Sequence, residues 1–389
     1  MFLSSRRVVS HLDLDSFFVS VECLKNSKLL GKPLLVGGRS DRAVVAACSY
    51  EARKFGVHSA MPMKLARRLC PHAIVTGGDH EEYSKYSRLV TDIVREEVPA
   101  FEKASIDEFY VDLSGMEKHF GCSQFVHQLK SKIVKETGLP LSYGLAGNKL
   151  VSKVATNEAK PNGQLEIPFG TEKNFLAPLP VQKMPMIGEK MTKTLRGLGV
   201  RIIRTLAEMP IEMLENMFGK TGIELWRRAN AIDESPIIPF HEQKSISTES
   251  TFETDTINTD FLRSELVRMI QKITFELREQ NKLAGCVSVK LRYADFETVN
   301  KQAIIGYTSA DHLLIPKVKE LFEKLYDRRQ LVRLVGVKLT DLVPGNYQIN
   351  LFSDKEEMIR LYQALDSVNH KYGGFLVMRA SGYIHKSAV

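Results

Sequence analysis

The period of hydrophobic and polar positions changes several times along the chain, and each change marks an element. Residues 8–12 (Val-Val-Ser-His-Leu) are β-branched and apolar and run into Asp13-Leu14-Asp15, which predicts a strand that closes on acids. Phe17, Phe18 and Val21 then begin a helical stripe, with Asp15 suited to cap it. Residues 33–36 close on Gly37-Gly38, and residues 43–46 follow a polar turn, the pattern of a hairpin. Between 79 and 98, Tyr83, Tyr86, Leu89, Val90, Ile93 and Val94 recur at helical spacing. Residues 101–106 and 109–113 read as strands on either side of Asp107-Glu108, and 141–145 as another short strand. From 170 to 232 short helical segments alternate with glycine turns, and Pro236 and Pro239 mark a linker. Beyond it come a helix over 261–280, a strand over 287–293, a helix over 313–326 and a strand over 331–339, the order of a compact α+β domain. In the tail, Met358, Leu361, Tyr362, Leu365 and Val368 keep helical spacing and are expected to pack on the chain itself.

Composition narrows this only modestly. A chain of 389 residues suggests two to four domains, and 43% hydrophobic with 26% charged residues is an ordinary globular balance. No uncharged run approaches the roughly 20 residues of a membrane helix, so no membrane partner is expected. The first fifteen residues lack the apolar core of a secretory leader. Cys23, Cys48, Cys70, Cys122 and Cys286 are odd in number and form no CxxC pair, which argues against a zinc ribbon or disulfide framework and for the cytoplasm. A net charge of +8 fits a polyanionic partner without requiring one.

Three carboxylates carry the candidate chemistry: Asp13 at the end of the first strand, and Asp107-Glu108 between two others. Taken alone, adjacent acids read as solvated turn residues. In a partly buried place they repel, and one must protonate unless a cation is present. Hard cations such as Mg²⁺ take carboxylate oxygens and keep water and substrate phosphates as further ligands. Asp15 reads as structural.

The run from His11 to Glu22 resembles the opening of the Y-family translesion DNA polymerases, most closely the DNA polymerase IV branch. Four more blocks agree in order: Ser-Tyr-Glu-Ala-Arg-Lys-Phe-Gly-Val at 49–57, Ser-Ile-Asp-Glu at 105–108, Ala-Lys-Pro-Asn-Gly at 159–163, and Phe218-Gly219 through Trp226 to Ile232-Asp233. The resemblance spans about 8–345. It implies a multidomain α/β and α+β right hand: a palm with a ferredoxin-like sheet (1–16 and 80–165), small fingers (17–79), a helix-hairpin-helix thumb (166–232), a linker (233–245), an α+β little finger (246–345) and a tail (346–389).

The resemblance also implies the site. Asp13, Asp107 and Glu108, with the backbone carbonyl of Leu14, would hold two Mg²⁺ ions, with Mn²⁺ a substitute. The reaction would be attack of a primer 3′-hydroxyl on the α-phosphorus of a dNTP. Phe18 matches the steric gate against a ribose 2′-hydroxyl, while Phe17 is better read as core. Tyr50, Arg53 and Lys160 match the triphosphate contacts. Ala47, Ser49 and Phe109 depart from the common Thr, Asn and Ala, without removing a metal ligand. Ala46, Ala47 and Cys48 are small enough to leave room above a nascent pair.

For primed template DNA, Gly188 and Lys190 look like part of a hairpin that receives a phosphate, with Lys193 beside them. Residues 188–204 carry a net +4. The little finger, over 244–345, nets only +2, so a DNA-facing stripe there must be local. Gln348, Leu351 and Phe352 resemble the Q-x-x-L-F peptide that binds a sliding clamp. The chain is expected to act as a monomer and to lack a proofreading exonuclease. The rival readings are a nucleotide cyclase, a mutagenesis subunit that needs partner proteins, and a non-catalytic clamp- or DNA-binding accessory. A cyclase leaves Phe18 and the thumb hairpin unexplained, and an accessory role would suit a chain that had lost its acids.

Overall fold

The run that ends in acids forms β1 (Val9–Leu14), a strand with every residue buried. The computed structural model describes residues 7–116, 121–326, 330–345, 356–372 and 377–382. The chain divides into two compact units, 1–241 and 242–389. In the first unit β1 is followed by β2 (Leu34–Gly37), β3 (Val45–Cys48), β4 (Ile74–Thr76), β5 (Phe101–Lys103), β6 (Glu108–Asp112), β7 (Leu141–Ala146) and β8 (Gln164–Glu166).

A five-stranded sheet has the order β5-β6-β1-β7-β8, with β1 antiparallel to both neighbours and β8 parallel to β7. Helices Phe17–Lys25 and His80–Glu97 connect β1 toward β5, and helix Cys122–Thr137 connects β6 to β7. This is the split β-α-β, ferredoxin-like arrangement that the fold class anticipated. These helices bury Phe17, Val21, Tyr83, Val90, Ile93 and Ile133 against Leu12, Leu14 and Phe109 of the sheet. Leu89, placed on the apolar stripe by its spacing, is instead 43% exposed. Helix Lys149–Ala159, capped by the Asn148 side chain, packs on β7 and β1. Gly144 of β7 permits that approach: a Cβ there would lie 2.2 Å from the Ser152 carbonyl oxygen.

The 33–46 hairpin forms as β2 and β3, and β4 joins β2 in parallel to complete a small sheet over its own core of Leu35, Val45, Cys48 and Met63. Residues 172–229 make the expected short helices. Leu195, Ile203, Leu206, Leu214 and Leu225 share a core with Val151 and Val154 of helix Lys149–Ala159.

The second unit is an antiparallel sheet of β9 (Ser245–Thr256), β10 (Lys282–Tyr293), β11 (Thr298–Thr308) and β12 (Val332–Pro344), ordered β11-β10-β12-β9. Val287, Val289 and Leu291 alternate inward under helices Thr259–Glu279 and Asp311–Leu325. Nothing in the sequence reading located β9, whose residues are largely polar, or β11, none of whose residues is buried. The tail helix Glu356–Tyr372 docks on this unit. Tyr362 is buried and its hydroxyl hydrogen-bonds His312 Nδ1 at 2.6 Å, while Arg278 grips Asp366 through bonds of 2.6 and 2.7 Å. Leu361 and Val368 stay exposed, so Tyr362 is the apolar anchor. All five cysteines are free, and no helix among the described residues is long and apolar enough to cross a membrane.

The close approach at Gly144 makes a stability prediction. Gly144→Ala should destabilise the first unit by about 1–3 kcal/mol in urea unfolding. Gly77→Ala, where a Cβ meets open space, should change it by no more than about 0.5 kcal/mol.

Candidate active site

Alternation along β1 sends Leu12 and Leu14 into the helical core and His11 and Asp13 to the opposite face, where helix Lys149–Ala159 crosses. The register sets Asp13 directly opposite Glu108 on β6. Asp107 precedes Glu108 at the strand's entrance, and its carbonyl accepts the Leu14 N–H at 3.1 Å. Ser105 shapes this turn. Its hydroxyl oxygen accepts from the Asp107 N–H at 3.3 Å and the Glu108 N–H at 3.1 Å, and its proton goes to the Asp107 carboxylate.

Two lysines answer the acids. Lys160 Nζ lies 2.6 Å from Asp13 Oδ1, and Lys153 Nζ reaches both oxygens of Glu108, at 2.7 and 3.0 Å. Burial nevertheless pushes the Asp13 carboxyl up to about 7; Lys160 pulls it down, while Glu108 and Asp107 push it further up. Burial also holds His11 well below its usual value, helped by Lys153, Lys160 and Lys149, so the imidazole is neutral. Its Nδ1 bonds Thr156, and its buried Nε2 has no hydrogen-bond partner and faces Glu108 at 4.0 Å. Sequence reasoning missed His11, two residues from Asp13, and Lys153, which lies one helical turn beyond Lys149 on the face turned to the acids.

The predicted nucleotide-side residues gather beside these acids. Phe18 is half-buried and stacks flat on Tyr83, with centroids 4.3 Å apart and planes 12° apart; Tyr83 is itself held by a 2.7 Å bond from its hydroxyl to Glu22. Phe17 is buried in the core. Tyr50 and Arg53 share the short helix Tyr50–Arg53, capped by Ser49, with the guanidinium 4.7 Å from the Tyr50 ring centroid. Tyr50 donates to Asp15 at 3.1 Å and Arg53 to the Ser16 hydroxyl at 3.3 Å. Lys160 follows helix Lys149–Ala159 in an extended conformation, as the next-residue proline predicts. Of the small residues 46–48, only Ala46 is exposed.

Asp15 corrects an expectation. Ser16, not Asp15, is the N-cap of helix Phe17–Lys25, and no side chain caps that helix. The chain leaves the strand at Asp15, whose carboxylate binds donors from other elements.

The sequence and the fold match known proteins. Residues 12–157 match the impB/mucB/samB family, and residues 243–351 match that family's C-terminal domain. A DNA polymerase IV of Dehalococcoides mccartyi (strain CBDB1) is 40% identical over 375 residues, 95% of this chain and 96% of the relative. The chain belongs to the Y-family of DNA polymerases, in the DNA polymerase IV branch. A further DNA polymerase IV, from Desulfatibacillum aliphaticivorans, is 33% identical over 97% of each chain. A chimaeric Y-family DNA polymerase of known structure matches with a TM-score of 0.76 at 25% identity, over 87% of this chain and all of that one. The Sulfolobus solfataricus DinB structure matches with a TM-score of 0.60 at 26% identity, over the same shares.

Y-family polymerases work with divalent metal ions, and the donor set here suits one. Among the described residues no three His, Cys, Asp or Glu side chains already converge into a cage. That is compatible with Mg²⁺, which rarely occupies an all-protein cage and takes one or two carboxylates plus phosphate and water. Burial raises the Asp13 carboxyl even with Lys160 at 2.6 Å, and Glu108 and Asp107 add to that rise.

Away from this end of the sheet, Gly188 is the exposed N-cap of helix Glu189–Gly197, with no side-chain cap of its N–H groups. Lys190 and Lys193 are exposed, and Lys193 pairs with Glu189 at 2.7 Å. Among the described residues, no hydrogen bond or ion pair links these three residues to the acids. Gln348, Leu351 and Phe352 lie outside the described residues.

Metal binding by these acids should be visible without turnover. At Mg²⁺ about ten times above its Kd, mass action adds ~1.4 kcal/mol to stability, a rise of a few degrees in Tm. Differential scanning calorimetry should show that rise for the wild type and none for the Asp107→Ala/Glu108→Ala double variant.

Proposed function

We propose that this protein is a template-directed, low-fidelity DNA polymerase for translesion synthesis, which adds deoxynucleotides to a primer 3′-hydroxyl and releases pyrophosphate. The observation that carries the reading is one end of the five-stranded sheet: Asp13 opposite Glu108, Asp107 adjoining, Lys160 paired with Asp13, and Tyr50 and Arg53 bonded to Asp15 and Ser16, just before the helix that carries Phe18. In the reaction the primer 3′-oxygen bonds to the α-phosphorus, the bond to the β-phosphate oxygen breaks, and the hydroxyl proton is released. Two Mg²⁺ ions, or Mn²⁺ in their place, held by Asp13, Asp107, Glu108 and the Leu14 carbonyl, would favour the primer alkoxide and neutralise the leaving pyrophosphate.

The chain's own side chains do the rest. Arg53 and Lys160 offer charged donors to the triphosphate, which requires Lys160 to exchange Asp13 for phosphate, and Tyr50, whose one hydroxyl proton goes to Asp15, lines the same side with its ring 4.7 Å from the Arg53 guanidinium. Phe18, fixed by its stack on Tyr83, excludes a 2′-hydroxyl by steric overlap. Gly188, Lys190 and Lys193 hold the DNA backbone without reading sequence. Gln348, Leu351 and Phe352 are assigned to a sliding clamp on their sequence pattern, with Leu351 and Phe352 as apolar anchors. We place the protein in the cytoplasm as a monomer. The accessory and partner-dependent readings draw no support from a site that keeps all three acids.

Primer extension on a primed template with Mg²⁺ and dNTPs tests the core of this reading. The wild type should extend, and the Asp107→Ala/Glu108→Ala variant should lose at least about 10³-fold in rate. A folded wild type that binds primed DNA and adds nothing would refute it. In the same assay, Phe18→Ala should relax discrimination against ribonucleotides by about 10²-fold; unchanged discrimination would remove Phe18 from the gate.

A further inference from the structure

Asp15 is 2% exposed, yet no strand or helix cap explains its carboxylate. Its oxygens take donors from three separate elements. The Ser142 hydroxyl on β7 lies 3.0 and 2.9 Å from Oδ1 and Oδ2, the Tyr50 hydroxyl 3.1 Å from Oδ1, and the Asn162 N–H 2.7 Å from Oδ2. Ser142 Oγ also accepts the Gly163 N–H at 3.2 Å, so the 162–163 turn is held twice from the same point. The turn is closely packed: a Cβ on Gly163 would fall 1.8 Å from the Ala159 carbonyl oxygen, and Asn162 sits at φ 49°. Lys160, two residues before Asn162, is thereby delivered to Asp13.

We propose that Asp15 is a positioning residue for the incoming nucleotide: its carboxylate fixes the fingers hydroxyl of Tyr50 and the turn carrying Lys160 to one palm anchor, Ser142. The inference rests on the polymerase reading above. It gives Asp15 a role distinct from that of Asp13, two residues earlier. Asp13 faces the other acids across β1 and β6, whereas Asp15 accepts only neutral donors and sets two groups on the triphosphate side. A carboxylate suits this task because it is acceptor-only, with room for all three donors. In Asp15→Asn one oxygen becomes an NH₂ group. The remaining carbonyl oxygen can keep the Asn162 N–H and the Ser142 hydroxyl, so the fault falls first on the Tyr50 hydroxyl, whose acceptor becomes a donor.

The test is steady-state single-nucleotide incorporation on primed DNA, with Tm and DNA affinity measured alongside. Asp15→Asn should raise the KM for dNTP by about tenfold, change kcat by less than about threefold, and leave primed-DNA affinity unaltered. Tyr50→Phe should give part of that KM rise, and the double variant should not multiply the two effects, because both act through one hydrogen bond. A fall in kcat at constant KM, no change in either constant, or fully multiplicative effects would overturn the inference. If Asp15→Asn fails to fold, Ser142→Ala, which removes the shared anchor while keeping every acid, should show the same KM rise; an unchanged KM would overturn it equally. Failure of the wild type to extend at all would instead count against the polymerase reading.

Discussion

Burial of the Asp13 carboxylate beside two further acids is the constraint on which the site in the first unit depends. Asp13 is 4% exposed and faces Glu108 across two hydrogen-bonded strands, with Asp107 adjoining. Like charges in such a place are tolerated only with compensating positive charge. Lys160 and Lys153 supply it here at 2.6 and 2.7 Å, and burial still raises the Asp13 carboxyl. A site in this condition favours a hard divalent cation and, with it, a polyphosphate that can draw Lys160 away from Asp13.

The fold serves this end of the sheet in a few specific ways. Antiparallel pairing of β1 with β6 puts two acids opposite each other, and strand alternation separates them from the apolar core on the far face. Helix Lys149–Ala159 comes close enough to reach Glu108 through Lys153 because Gly144 leaves room for its backbone. Phe18 gains its rigidity from a second layer, the Tyr83 ring and its bond to Glu22. Asp15 joins the helix Tyr50–Arg53 and the turn after Lys160 to β7. Phe18, Tyr50 and the turn after Lys160 are thus each held by a neighbouring side chain.

Much of this was legible in the sequence, for identifiable reasons. The strand closing on Asp13, the hairpin at 33–46 and the helix from His80 to Glu97 all carry strong periodicity, and the acid pair stood where two strand patterns met. Ordered blocks, not any one motif, justified the hand-like fold class. The illegible parts share a different character. β9 is largely polar and β11 has no buried residue, so hydrophobic alternation barely marks them. Leu89 sits on a stripe wider than the surface available to bury it. Asp15 reads locally as a cap because Asp commonly is one; its true partners, Tyr50, Ser142 and Asn162, are 35 to 147 residues away. Lys153 and His11 likewise gain meaning only from a partner on another element.

The most direct measurement is a crystal structure of the protein with primed DNA, a non-hydrolysable dNTP analogue and Mn²⁺, with the metal located by anomalous scattering. The account predicts metal density bound by Asp13, Asp107 and Glu108, with Lys160 Nζ moved from Asp13 to a triphosphate oxygen. Metal bound elsewhere, or a nucleotide seated with Lys160 still paired to Asp13, would contradict it.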